Sequence, residues 1–130
     1  MQRILLLLAL VALVALAAFA CATTSPMATR ADDRQSLAGV WEEEWPGQQT
    51  NDRYRIEVGG DKITITPLTN ADTQKVRDVV FRGKTLDFIV ELEGGAVYYN
   101  LVLVSSTLLS GRAHGGPRNF DEPVRWYKAR

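Results

Sequence analysis

Arg53-Tyr54-Arg55-Ile56-Glu57-Val58-Gly59-Gly60-Asp61-Lys62-Ile63-Thr64-Ile65-Thr66 is the stretch from which the fold is read. Its first six residues alternate charged or polar with apolar side chains, the period-two pattern of a strand with one buried face. Tyr54, Ile56 and Val58 share that face. Gly59-Gly60-Asp61 turns the chain, glycine supplying the backbone freedom that tight hairpins use. Lys62 to Thr66 then carries the alternation back. A lone hairpin is marginal in water, so further strands must lie beside this one.

Those strands follow on both sides. Downstream of a polar loop (Pro67 to Gln74), Val76 to Phe81 leads to a tight turn at Arg82-Gly83-Lys84. Leu86, Phe88, Val90 and Leu92 alternate with Asp87, Ile89 and Glu91, and Glu93-Gly94-Gly95 turns the chain into Val97 to Leu103. Ser105-Ser106 turns it again into Leu108 to Arg112, and a long loop reaching Pro123 precedes a last strand, Val124 to Lys128. Upstream, Gly39 to Glu43 supplies a first strand. The pattern predicts an all-β domain over Leu37–Arg130, about eight short antiparallel strands in hairpin succession. Pairing of the first strand with the last would remove the raw edges, so a closed up-and-down β-barrel is expected, with an open sandwich as the alternative. A barrel of this size has an interior that side chains fill or that holds one small ligand.

The segment ahead of the domain has a different character. Met1-Gln2-Arg3 is followed by 17 uninterrupted apolar residues, Ile4 to Ala20. A positive start, an apolar core and the small-residue end Ala17-Ala18-Phe19-Ala20 form the three-part pattern of a secretory signal peptide over residues 1–20. An uncleaved helical anchor is the alternative, since the run is near the short limit for crossing a bilayer. Ala22 to Ser36 has no apolar periodicity and reads as a flexible tether. A helix from Ala28 to Leu37 would have no apolar stripe to bury.

Cys21 is the single cysteine, so no intramolecular disulfide can form. Its place directly after the apolar run and Ala20 resembles the lipobox of bacterial lipoproteins, which implies acylation of Cys21 and a membrane anchor. Ala18 stands where leucine is usual and Phe19 is bulky for its slot, and Ala18-Phe19-Ala20 also reads as an ordinary cleavage site. Without residues 1–20 the chain carries 14 basic and 15 acidic residues. That balance speaks against nucleic acid as a partner, and no polybasic run marks a membrane-binding patch.

Leu37-Ala38-Gly39-Val40-Trp41 carries a second resemblance. A Gly-x-Trp on the first strand, a hairpin meander behind it and an arginine near the last strand are similar to the lipocalin and avidin-like (calycin) barrels. The resemblance implies that Gly39 and Trp41 close one barrel end and that Arg125 or Arg130 stacks on the indole. The short strands depart from full lipocalins, as does the lack of a helix near the end, and both resemble avidin-like or inhibitor-type barrels. The opening LAGVW is also similar to bacterial inhibitors of secreted metalloproteases, although those usually carry a disulfide and this domain has no cysteine.

Candidate chemistry is sparse. His114 is the single histidine, which excludes a His–His metal site, and it falls in the predicted long loop as a solvated side chain. Glu42, Glu43 and Glu44 read as a solvated strand end, too few oxygens for calcium. Alternation points Tyr54, Phe88 and Tyr99 inward, as core or as walls of a small pocket, and sets Trp126 on a face with Val124 and Lys128. Trp45, in the first loop, is the candidate for an exposed aromatic at the barrel mouth. No nucleophile–base pair, metal or cofactor motif is in view, so the chain reads as no enzyme. The expectation is an exported lipoprotein, outer-membrane bound and facing the periplasm. Its barrel would bind a small apolar or amphipathic ligand, or else present its loops to an envelope protein as an inhibitor does.

Overall fold

The computed structural model of the chain describes residues 30–48 and 52–130. The predicted signal segment, Cys21 and the tether as far as Thr29 lie outside the described residues. A short helix, α1 (Ala31–Ser36), leads into eight strands: β1 (Gly39–Glu44), β2 (Arg53–Gly59), β3 (Lys62–Pro67), β4 (Lys75–Arg82), β5 (Thr85–Leu92), β6 (Gly95–Ser105), β7 (Leu108–Gly115) and β8 (Phe120–Lys128). They form a nearly closed antiparallel up-and-down barrel, as the alternation predicts.

Two boundaries differ from the sequence reading. Residues 31–36 are helical where a flexible tether was expected. No α1 residue is buried. What fastens the helix is Leu37, fully buried just behind it, and the Lys128 ammonium, which donates to the Ser36 carbonyl at 2.6 Å. The predicted long loop before the last strand is also a hairpin. β7 and β8 pair from Leu108↔Tyr127 to Gly115↔Phe120, so the connection shrinks to residues 116–119. Gly115 and Gly116 read as loop in the sequence, yet β7 runs on through Ala113 and His114 to Gly115. At Gly111 the reason for glycine is contact, since a Cβ there would lie 1.9 Å from the Asn100 carbonyl oxygen of β6.

The sheet order is β3-β2-β1-β8-β7-β6-β5-β4. First and last strands do pair, with Trp41 opposite Lys128 and Glu43 opposite Trp126. The break falls between β3 and β4, which lie side by side without a hydrogen-bonded ladder among the described residues. Leu68 N–H donates to the Arg53 carbonyl at 2.8 Å. In that register Lys62, Thr64 and Thr66 bond to β2, and the backbone groups of Ile63, Ile65 and Pro67 face the seam. Proline has no N–H to leave unpaired there, and β4 bulges between Arg77 and Val80, with Asp78 at φ 56°. Both are devices that blunt a sheet edge.

Inside, the alternate residues of every strand meet. Trp41, Trp126, Tyr54 and Phe88 are the largest fully buried side chains. Tyr54 stacks on Trp126 with centroids 4.4 Å apart, and Phe88 on Tyr99 at 4.6 Å. Strand direction gives the barrel two ends. The floor holds α1, Trp41, the three tight turns after β2, β4 and β6, and the C-terminus. The mouth holds the connections after β1, β3, β5 and β7.

Candidate functional site

The Gly-x-Trp lies at the floor, at the start of β1. Trp41 is fully buried and its Nε1 donates to the Leu37 carbonyl at 2.8 Å. The cation on its face is not an arginine, however. Lys128 Nζ sits 5.0 Å from the ring centroid, while Arg125 and Arg130 are exposed. Arg125 lies outward because β8 alternates and buries its neighbours Val124 and Trp126. Arg130 lies beyond the last strand. Lys128 shares the inner side with Trp126 and reaches Trp41 directly across the β1–β8 ladder. Its aliphatic stem passes over Gly39, whose φ of 139° and missing Cβ leave the stem room, with Lys128 Cε 3.4 Å from where a Cβ would stand. Desolvation lowers the Lys128 ammonium pKa.

The mouth holds the polar surprise. Glu43 is 4 % exposed, the one buried charged side chain among the described residues. Trp45 Nε1 donates to its Oε1 at 2.5 Å and Trp126 Nε1 to its Oε2 at 2.8 Å, with a further hydrogen bond from Tyr99. Hydrogen-bond donors of this kind stabilise the ionised form of a carboxylate. Burial still outweighs them and raises the Glu43 pKa. The negative charge in turn adds to burial in pushing the Tyr54 and Tyr99 phenols up. The expectation of a solvated Glu42-Glu43-Glu44 run is therefore right only for Glu42 and Glu44, which are exposed. A signal was present: with Trp41 inward, period two sends residue 43 inward as well.

Trp45 also departs from its expected place. It is half-buried, folded back by the Trp45↔Gln48 bridge and wedged edge-on against Phe120 and Tyr99, with centroids 5.4 and 6.5 Å away. It roofs the mouth where an exposed anchor was predicted. Beneath and beside it lies a cleft of about 180 Å³ lined by Glu43, Trp45, Asp52, Tyr54, Gln74, Val90, Leu92, Val97, Tyr99 and Phe120. Tyr54 and Tyr99, two of the predicted pocket residues, are thus brought together with Trp45. Phe88 is not; it is fully buried deeper in the stack. The cleft walls carry two carboxylates and no lysine, arginine or histidine. Asp52 is held in place by Thr69 Oγ1 at 3.0 Å and accepts from Asn70 Nδ2 at 3.4 Å, both through Oδ1. Asp52, Gln74 and Phe120 were not foreseen, because loop residues and a strand mistaken for loop supply them.

His114 is exposed, stacked on Tyr98 at 5.2 Å on the outer wall. Among the described residues no group of three or more His, Cys, Asp or Glu side chains is placed to hold a metal ion. Comparison with protein-family models, with curated proteins and with solved structures finds no match for this chain, so its functional reading rests on the geometry of the barrel.

Proposed function

We propose that this chain is a non-catalytic binding module of the cell envelope, anchored through Cys21, that receives a small amphipathic ligand at the barrel mouth. The observation that carries the reading is the cleft under Trp45, where aromatic faces and two carboxylates meet without a basic residue. An apolar pocket with a few convergent polar groups is the usual form of a small-molecule site. Its volume, about 180 Å³, is below the range of roughly 300–1,000 Å³ common for whole drug-sized ligands. It therefore suits one end of a ligand, with the rest lying over Phe120 and the rim. Carboxylates beside aromatic faces favour a cationic or hydrogen-donating head, because ring quadrupoles attract cations as the carboxylates do.

Calorimetric titration with benzylamine, benzyltrimethylammonium and benzoate tests this directly. The two cations should bind and quench tryptophan fluorescence, benzoate should not, and Trp45→Ala or Asp52→Asn should weaken the cations by about tenfold or more. Equal binding of benzoate, or no binding of either cation at millimolar concentration, would remove the reading. The filled interior supports a second one, a protein-binding barrel that uses its loops, and failure of all three probes would favour it.

A further inference from the structure

The mouth cleft joins two carboxylates that differ in their access to water. Asp52 is half-buried and accepts from Thr69 and Asn70. Glu43 is 4 % exposed and accepts from the Trp45 and Trp126 indoles and the Tyr99 hydroxyl. A buried carboxylate without a compensating cation is driven toward its neutral form, and among the described residues no cation faces this one. Arg53, Arg112, His114 and Arg125 are exposed on the outer wall, and the mouth cations Lys75 and Arg118 are exposed outside the cleft. Lys128 points inward but lies at the floor, over Trp41. What faces Glu43 is acidic or neutral. Asp52 repels its charge, and the Tyr54 and Tyr99 phenols stand beside it. Glu122, opposite buried Ala113, carries the inward row of β8 to the exposed rim. Glu42 and Glu44, its neighbours in β1, point outward. The neutral acid also has a place for its hydrogen. The Tyr99 hydroxyl, within hydrogen-bond reach of both Glu43 and Tyr54, can turn to accept it.

We propose that this cleft exchanges a proton for its cation: as a cationic head enters, Glu43 releases the proton that burial keeps on it, and in acid the cleft takes the proton back and lets the cation go. The inference rests on the cation-binding reading of the cleft and adds its regulation. The Glu43 O–H bond breaks, its electron pair stays on the carboxylate, and the proton passes to water at the mouth. The incoming charge drives the step, since a cation within about 4–6 Å favours the ionised form of a carboxylate. Glu43 and Asp52 wall the same cleft of about 180 Å³, so a head seated there is close to both. Coupling is reciprocal: whatever the cation does for ionisation, ionisation does for the affinity of the cation. At high pH the cation enters a doubly charged cleft. At low pH it meets Asp52 alone.

Benzyltrimethylammonium is the probe, because its charge does not titrate. Calorimetry of its binding to the full chain at one pH, in phosphate and in Tris, counts the proton released, since the two buffers differ in ionisation enthalpy. The affinity should weaken by about tenfold or more from pH 8 to pH 5, with a slope no steeper than about tenfold per pH unit. Glu43→Gln, which has no proton to give, should bind with one affinity across that range and release none. Asp52→Asn removes the repelling neighbour, so its weaker binding should keep the pH dependence and shift it to lower pH. Circular dichroism of each variant at each pH separates lost binding from lost fold. Binding that is constant from pH 5 to pH 8 and releases no proton would overturn the exchange and leave the cation site standing. A pH dependence that Glu43→Gln retains would overturn it too. No binding of the probe at any pH would remove the site and the exchange together.

Discussion

Trp126 Nε1 lies 2.8 Å from Glu43 Oε2, a hydrogen bond that ties the last strand of the barrel to the first across 83 positions of chain. It is made inside the packed aromatic stack, where water does not compete and a donor or acceptor left unpaired costs its whole desolvation energy.

Glu43 should set a pH dependence of stability. Its folded pKa is raised by burial, so over a range above the ordinary carboxylate value the folded chain keeps a proton that the unfolded chain has released. Stability must then fall as pH rises through that range and level off above the raised pKa. Glu43→Gln should cost about 1–3 kcal/mol at low pH through mismatched donors, and the gap to wild type should narrow as pH rises. Urea melts from pH 4 to pH 8 check this; a gap that widens with pH would contradict it.

Trp41→Ala should remove about 3–5 kcal/mol by leaving a large cavity at the floor. Lys128→Ala should be milder, and a double-mutant cycle should couple it to Trp41 by about 0.5–2 kcal/mol. Arg125→Ala and Arg130→Ala should each stay within about 0.5 kcal/mol and show no coupling. Coupling of either arginine to Trp41 would return the stacking role to it.

Trp45→Ala should cost about 1–2 kcal/mol, since an exposed loop tryptophan would cost almost nothing, whereas this one donates to the buried Glu43 carboxyl group. Trp45→Phe keeps the edge-on packing and loses the donor. Urea melts of the two variants apportion the loss between them.

Gly111→Ala should be among the most damaging single changes, costing about 3 kcal/mol or more, because the new methyl meets the Asn100 carbonyl and must part β6 from β7. Gly59→Ala, with nothing within 4 Å of the added carbon, is the control and should stay within about 0.5 kcal/mol. Thermal melts of the two are sufficient.

Much of the barrel was legible because burial of one face imposes period two on the sequence. Tyr54, Ile56, Phe88, Tyr99 and Trp126 all point where alternation sends them. The same rule places Glu43 inside, but a run of three glutamates suggests solvent, and only the facing indoles show why the charge is tolerated. Lys128 in place of an arginine over Trp41 follows from which side of β8 faces inward. The β7–β8 hairpin was hidden by glycines that are there for close strand approach, a reason that appears only once β6 is beside them. The seam depends on hydrogen-bond register, which side-chain pattern does not encode. The mouth cleft draws Asp52 and Gln74 from loops, where sequence carries no periodicity to read.

The sheet order also governs when the barrel can exist. β1 and β8, the most distant strands in the chain, are neighbours in the middle of the sheet, and the break lies between β3 and β4, which follow one another. Hairpins form early because their loops are short, whereas joining β1 to β8 closes nearly the whole domain and is the slow, late event. Until Tyr127 and its neighbours arrive, a nascent chain holds two unfinished pieces, β1–β3 and β4–β7, each with an open apolar face. A stop codon before Val124 would therefore not shorten the barrel by one stave. It would leave two aggregation-prone fragments on one chain, and quality control would meet them as such.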